Sequence, residues 1–176
     1  MKTLLIILTL VPSYIKGQQE IIESIKLDSL IFEKINDYRN SKGVDSFVAF
    51  EDSLMREFSY NLTRENSKKA MIEHSKDDKF EYYNAECIYS YRIHNSSVDK
   101  IDYYKNIDLN HWADAAVDGW INSPSHEHAI SHHFYKVATI TTRITFNRSK
   151  SEVLFVASFH ALINDGSTLK NYVYYE

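Results

Sequence analysis

The stretch from Ala113 to Ile130, ADAAVDGWINSPSHEHAI, decides how this chain folds. Its apolar residues recur at i, i+3, i+4, i+7 and i+8, so they share one face of a helix: Ala113, Ala116, Val117, Trp120 and Ile121. Ser123 then stands where a hydroxyl caps a second helix, and Pro124 stands where a first helical residue has no amide to satisfy. The stretch predicts a buried helix, a turn and a second helix that carries His126 in its first turn.

The position of His126 suggests a particular chemistry. Partial positive charge at a helix N-terminus disfavours the imidazolium form, so the pKa of a histidine there falls. A neutral imidazole can accept a proton or bind a metal ion. The other interpretation is that His126 is only a polar residue at a helix entry, and local spacing does not separate the two.

Composition indicates one folded domain. The chain has 176 residues, 44% of them apolar and 14% aromatic, which is enough for a hydrophobic core. The formal net charge is -4, and the basic residues are interspersed with acidic ones, so we expect no nucleic-acid partner. Cys87 is the sole cysteine, which excludes an internal disulfide. No Cys-x-x-Cys pair exists, and we expect a buried thiol more than a reactive one.

The N-terminus predicts a secretory signal peptide over residues 1–17. Lys2 precedes a short apolar run from Leu4 to Val11, and Gly17 is a small residue before the expected cut. This run is too short for a membrane span, and no later run is long enough, so we expect no transmembrane segment. We expect a secreted or periplasmic protein with a linker over 18–26, a folded domain over 27–165 and a C-terminal tail over 166–176.

Hydrophobic periodicity and capping residues predict an α+β fold. The expected elements are helices over 28–42, 51–74 and 109–122, a strand or irregular segment over 82–93, and strands over 136–146 and 153–163. The last two strands form a hairpin. Helices followed by a terminal antiparallel hairpin are typical of a sandwich in which helices pack around a small antiparallel sheet.

Several residues taken together resemble the CAP superfamily, specifically its bacterial SCP-like extracellular domains. They are Asn36 and Arg39 in the first helix, His74, Glu86 after Ala85, and the segment WINSPSH ending at His126. The resemblance covers about residues 27–162. It implies an α-β-α sandwich with a central cleft, lined here by His74, Glu86 and His126, with Ser123 where eukaryotic members carry an acidic residue. The chain departs from the family at Cys87, which follows Glu86 in place of Asn, and at Ser125, which replaces a glycine.

Two imidazoles and a carboxylate in one cleft allow three kinds of chemistry. They suit a divalent metal such as zinc, held by His74 and His126, or a general acid and base pair. They equally suit a hydrogen-bonded structural network.

The remaining histidines give no recognised motif. His-Glu-x-x-His fails because Ile130 stands where the second histidine is required. A histidine-rich edge formed by His128, His132 and His133 fits either a metal or a solvated helix end. We find no partner at ligand spacing for three others: His94, His111 and His160.

Three functions follow from the resemblance. The favoured one is a secreted binding module whose His/Glu cleft takes up a small molecule, a lipid, a peptide or a cell-wall fragment. The alternatives are a metal-dependent hydrolase that uses His74, His126 and Glu86, and a protein-interaction module with a vestigial cleft. Binding is favoured because the sequence has no Gly-x-Ser-x-Gly motif and no cysteine beside a base.

Overall fold

A computed structural model describes residues 19–50, 53–69, 72–75, 85–94 and 98–163. These residues form, in chain order, β1 (Gln19–Ile22), α1 (Ile25–Ser41), β2 (Val48–Ala49), α2 (Ser53–Asn66), β3 (Ala85–His94), α3 (Val98–Lys105), α4 (Leu109–Ile121), α5 (Pro124–Ser131), β4 (Tyr135–Asn147) and β5 (Glu152–Ile163). A short 3-10 turn, Arg148–Lys150, joins the last two strands. The predicted signal peptide and C-terminal tail lie outside the described residues.

The sheet is built around the terminal hairpin. Its order is β1-β4-β5-β3 with antiparallel neighbours, and the two-residue β2 pairs with β4 in parallel. Strand β3 is therefore an edge strand of this sheet. The hairpin predicted from the alternating β-rich runs is confirmed.

Helices cover both faces of the sheet. Helix α2 packs on β4 and β5 from one side, and α1, α3, α4 and α5 pack from the other. Side chains of β5 alternate accordingly: Phe155, Ala157 and Phe159 join the core under α1 and α4, whereas Leu154, Val156 and Leu162 face α2. The α+β class and the arrangement of helices around a small sheet are confirmed.

The apolar face predicted for the central helix is buried as expected. Ala113, Ala116, Val117 and Trp120 of α4 are all within the main core, and Ile121, the fifth predicted residue, is partly buried against it. Strand β3 packs closely on α4 at Gly119. A side chain is excluded there, because a Cβ would lie 2.3 Å from the ring of Tyr89.

The first helix begins earlier than predicted. Helix α1 starts at Ile25, and its N-cap is Ser24, whose side chain accepts a hydrogen bond from the amide of Leu27. The predicted caps, Asp28 and Ser29, lie inside the helix. The helix ends as predicted before Gly43, which has φ of 73°, a left-handed conformation that favours glycine.

The second helix is shorter than predicted, and this changes how His74 is presented. Helix α2 ends at Asn66 rather than near His74. The reason is tertiary: the buried Asn66 amide pairs with both the N–H and the carbonyl of Glu73, each at 2.9 Å. This pairing holds residues 72–75 as a loop, so a loop carries His74.

The segment 18–26, which we expected to be a linker, contains secondary structure. Residues Gln19–Ile22 form strand β1, which pairs with the last residues of β4. In the described part of the chain, no helix is both long and apolar enough to cross a membrane.

Helix α1 contributes a carboxylate to the outer edge of β4. Strand β2 pairs near the start of β4 and β1 pairs at its end, and Asp28 reaches the stretch between them. Its carboxylate accepts a hydrogen bond from the Thr142 hydroxyl at 2.6 Å, and the Thr142 backbone also contributes a hydrogen bond. Burial raises the pKa of Asp28 to about 6, although those bonds and the charge of Arg56 oppose the rise.

Candidate binding site

Three of the predicted cleft residues come together beside the edge strand β3. Glu86 lies near the start of β3, His74 lies in the loop after α2, and His126 lies in the first turn of α5. The loop belongs to one helical layer and α5 to the other, and they meet past the edge of the sheet. The rings of His74 and His126 have centroids 6.4 Å apart.

Glu86 is the centre of this arrangement. Its side chain is only 7% exposed. One carboxylate oxygen, Oε1, lies 2.6 Å from Nδ1 of His74 and accepts a hydrogen bond from the Ser75 amide at 3.0 Å. The other oxygen, Oε2, lies 3.1 Å from Nε2 of His160. A buried carboxylate needs such partners, and Glu86 has three.

These contacts set the protonation of Glu86. Burial alone would raise the pKa of the carboxyl, but the hydrogen bonds from His160, Ser75 and His74, together with the charge of His160, outweigh burial and lower the pKa. An ionised carboxylate only accepts hydrogen bonds, so the ring nitrogens that contact it carry hydrogen: Nδ1 of His74 and Nε2 of His160. The free ring nitrogen of His74 for ligand contact is therefore Nε2.

His126 is half-buried at the start of α5. Its pKa is lowered, first by burial and then by the charge of His74. The sequence also predicted a lowered pKa for His126, but it attributed the shift to the helix N-terminus. In the structure the main causes are burial and the neighbouring His74. Because of this lowered pKa, His126 is neutral at pH 7.

Ser123 occupies the N-cap position of α5, with Pro124 following it, as predicted. Its hydroxyl, however, makes no capping hydrogen bond to the helix. It lies 3.5 Å from the hydroxyl of Ser125. The expected cap by the Ser123 side chain is therefore wrong, although its backbone does begin the helix.

His160, for which the sequence indicated no partner at ligand spacing, completes the network. It lies opposite Glu86 in the β3–β5 register, and it is fully buried. Side chains directly opposite in an antiparallel pair lie on the same face, which explains the contact. The sequence signal was a single histidine within the apolar run of β5, because a buried imidazole needs a hydrogen-bonding partner.

Behind His160 the network continues through buried hydroxyls. Nδ1 of His160 lies 3.1 Å from the Ser59 hydroxyl. From Ser59 the chain of contacts passes to Thr141 at 2.7 Å, then to Thr63 at 2.8 Å and to Ser158 at 2.8 Å. All four hydroxyl residues are buried between α2 and the sheet. The surface histidine is thus anchored to the interior of the domain.

Ser59, His160 and Glu86 are linked by hydrogen bonds in the order of the nucleophile, base and acid of a catalytic triad. Ser59, however, has no exposed surface, and its hydroxyl also contacts Thr141. A nucleophile must reach its substrate, so this serine cannot act as one. The linkage serves to position Glu86 and, through Glu86, His74.

The histidine pair does not fit one tetrahedral zinc ion as placed. With zinc–nitrogen distances of about 2.0–2.1 Å, two imidazoles on one zinc have centroids roughly 5 Å apart. The observed 6.4 Å is longer. Among the described residues, moreover, no three His, Cys, Asp or Glu side chains form a group that could hold a metal ion. The same finding covers the edge of His128, His132 and His133, whose rings pack on one another.

Two residues of the CAP resemblance are structural. The side-chain amide of Asn36 pairs with the N–H and the carbonyl of Phe47, at 2.7 and 3.2 Å. The buried Arg39 guanidinium lies over the Phe47 ring, 3.7 Å from its centroid, and donates to the following backbone carbonyls: Asp45, Ile130, His132 and Tyr135. Arg39 therefore ties α1 to the end of α5, whose beginning carries His126.

Comparison with known proteins adds a fold relationship. No protein-family model matches the sequence, and the comparison with curated proteins gives no match. Among solved structures, the fold is similar to that of an outer surface protein from Borrelia burgdorferi, with a TM-score of 0.53 and 14% sequence identity. The similarity covers 82% of this chain and 99% of that protein. At this identity the similarity establishes a shared fold.

Proposed function

We propose that this chain is a secreted, CAP-like binding module in which His74 and His126 contact the ligand. Glu86 positions His74, and His160 positions Glu86. The observation that carries the proposal is that an exposed histidine, with 63% of its side chain accessible, is fixed through Nδ1 on a nearly buried carboxylate. Holding such a side chain in one orientation before binding reduces the entropy that binding would lose.

The state of the two rings indicates the chemistry of the ligand. His126 is neutral at pH 7 because burial and His74 lower its pKa. Nε2 of His74 is the nitrogen left for ligand contact once Nδ1 is bound to Glu86. Two imidazoles in this arrangement suit a polar ligand that both donates and accepts hydrogen bonds, such as a peptide, a polar small molecule or a cell-wall fragment.

The same geometry favours binding over hydrolysis. Glu86 already receives hydrogen bonds on both oxygens, so it is poorly placed to activate water. Ser59 is buried and cannot attack a substrate. The histidine pair, as placed, does not fit a shared zinc ion.

Three further observations support a CAP-like protein outside the cytoplasm. The residues that carry the resemblance either gather at β3, as His74, Glu86 and His126 do, or support the elements that hold them, as Arg39 does. The N-terminal sequence has the features of a signal peptide. The fold is shared with a protein described as an outer surface protein.

Native mass spectrometry of the protein purified from its natural extracellular medium tests the proposal. We expect the wild-type protein to retain a bound molecule that is lost in both the His74→Ala and the His126→Ala variants. His94→Ala is the matched control, since His94 lies on the surface at the far end of the same strand β3. This control should retain the molecule.

Each other outcome contradicts the proposal in a defined way. A molecule retained equally in all variants would place binding elsewhere, and no retained molecule in any variant would remove the basis for a tight binding module. Stoichiometric zinc lost in both cleft variants would instead favour the metal-dependent alternative. Unchanged biological activity of both variants would favour the protein-interaction alternative.

A further inference from the structure

A pocket lies between the C-terminal end of α3 and the start of α4. It has a volume of about 520 Å³. Its lining, which we call the tyrosine pocket, is Tyr91, Tyr103, Tyr104, Asn106, Ile107, Asp108 and His111. Tyr91 is five residues from Glu86 along β3, which corresponds to about 17 Å, so this pocket is separate from the site of His74, Glu86 and His126.

The tyrosine rings stand at steep angles to one another and form the walls of the pocket. The rings of Tyr103 and Tyr104 are 5.4 Å apart and inclined at 75°. Tyr91 and Tyr104 both pack edge-on or tilted against the buried Trp112, which fixes two of the three rings. Tyr103 is 65% exposed and Tyr91 is 41% exposed, so their rings are accessible to a ligand.

The charges at the pocket favour a cation. Asp108 contributes a carboxylate, and none of the described lining residues is a lysine or an arginine. Helix α3 directs its partially negative C-terminal end towards this junction, whereas the positive start of α4 is already capped by Asp108. The lysines whose charges reach Asp108, Lys26 and Lys34, belong to α1 and do not line the pocket.

Two polar side chains of the pocket are already hydrogen-bonded within the protein. Both oxygens of Asp108 accept from the Asn110 side chain, and one also accepts from the Asn110 amide. The side-chain amide of Asn106 donates to the carbonyl of Asp102. These two side chains are engaged within the protein and so are less available to the hydroxyls of a sugar. A quaternary ammonium group has no N–H to donate and requires only aromatic faces and negative charge.

We propose that the tyrosine pocket binds a quaternary ammonium group, held by the faces of Tyr91, Tyr103 and Tyr104 and by the negative charge of Asp108. Aromatic walls with a carboxylate are the arrangement that such cations select. The group can belong to a free small molecule or to a lipid headgroup, and the experiment separates these sources. This proposal does not depend on the function proposed for His74 and His126.

Titration of the full-length protein with choline, followed by NMR chemical shifts at pH 8, tests the proposal. We expect saturable shifts at the tyrosine pocket. The uncharged isostere 3,3-dimethylbutan-1-ol should bind at least about tenfold more weakly, because it lacks the charge that the rings and Asp108 attract. Binding to phosphatidylcholine vesicles is measured in parallel. Binding to vesicles with little response to free choline would identify a lipid headgroup as the ligand. A response to free choline with little binding to vesicles would identify a free small molecule.

Two variants assign the binding to these residues. Tyr103→Leu should weaken choline binding by about 2- to 30-fold, whereas Tyr103→Phe, which keeps the ring, should not. Asp108→Asn should weaken it by about fivefold or more, and it should fold normally because asparagine caps helices as well as aspartate does. Asp37→Asn on the exposed face of α1 is the charge control and should bind as the wild type does.

Four results would overturn the proposal. They are equal binding of choline and its uncharged isostere, no effect of either pocket variant, shifts produced by N-acetylglucosamine but not by choline, and no response to choline or to the vesicles.

Discussion

Replacing Asp28 by asparagine should stabilise the protein in a way that depends on pH. The pKa of Asp28 is about 6 in the folded protein against a reference of 3.8, and burial is the main cause. Because the folded pKa is raised, folding disfavours the ionised form. The resulting loss of stability is small near pH 4, grows between about pH 4 and 6 and is complete above pH 6. A difference of about 2.2 pKa units corresponds to about 3 kcal/mol.

The Asp28→Asn variant removes the cost of burying the ionised carboxylate and keeps the shape of the side chain. Its amide oxygen can still accept a hydrogen bond from Thr142, and a weakened bond there costs about 1 kcal/mol at every pH. The free energy of unfolding of Asp28→Asn, relative to wild type, should therefore rise by about 2–3 kcal/mol between pH 4 and pH 8.

Urea denaturation at pH 4, 6 and 8, followed by tryptophan fluorescence, measures this change. Asp37→Asn is the matched control, because it removes one negative charge from an exposed position of the same helix. That variant should differ from wild type by less than about 0.5 kcal/mol at each pH. The reasoning is refuted if the effect of Asp28→Asn is the same at pH 4 and pH 8, or if Asp37→Asn reproduces its pH dependence.

Four further substitutions test the packing and capping, each by the same urea denaturation. Gly119→Ala should destabilise the protein by about 1–3 kcal/mol, because the new Cβ would lie 2.3 Å from the Tyr89 ring. In a Tyr89→Ala background the same change should be neutral or stabilising by up to about 1 kcal/mol, and a loss in both backgrounds would contradict this explanation. Arg39→Met should cost roughly 3–5 kcal/mol, since it leaves buried backbone carbonyls without donors, and a loss below about 1 kcal/mol would disprove that role. Ser123→Ala should cost less than about 0.5 kcal/mol, whereas Ser24→Ala, which removes an observed cap bond, should cost about 1 kcal/mol; equal losses would show that both hydroxyls cap.

Features that depend on local pattern were predictable. The spacing of apolar residues around Trp120 placed α4 to within one residue at its end, and the position of Pro124 placed the start of α5. The alternating β-rich runs gave the β4–β5 hairpin. In each case the residues that decide the element lie within the element or beside it.

Features that depend on distant partners were not predictable in the same way. The end of α2 is set by the pairing of Asn66 with Glu73, which no helical periodicity reports. The contact of His160 with Glu86 joins residues 74 positions apart, through a β3–β5 register that the sequence pattern does not specify. Two of the three predicted cleft partners, His74 and Glu86, are in direct contact, but the residue that anchors them required the structure.

The sole cysteine offers a natural reporter of motion at the proposed cleft. Cys87 has no exposed surface, and its sulfur lies 3.8 Å from the carbonyl oxygen of His126, at the seam between β3 and α5. Burial also raises the pKa of the thiol, so the reactive thiolate is suppressed while the seam is closed. The rate at which a thiol reagent labels the native protein therefore measures how often α5 separates from the sheet, without any engineered probe.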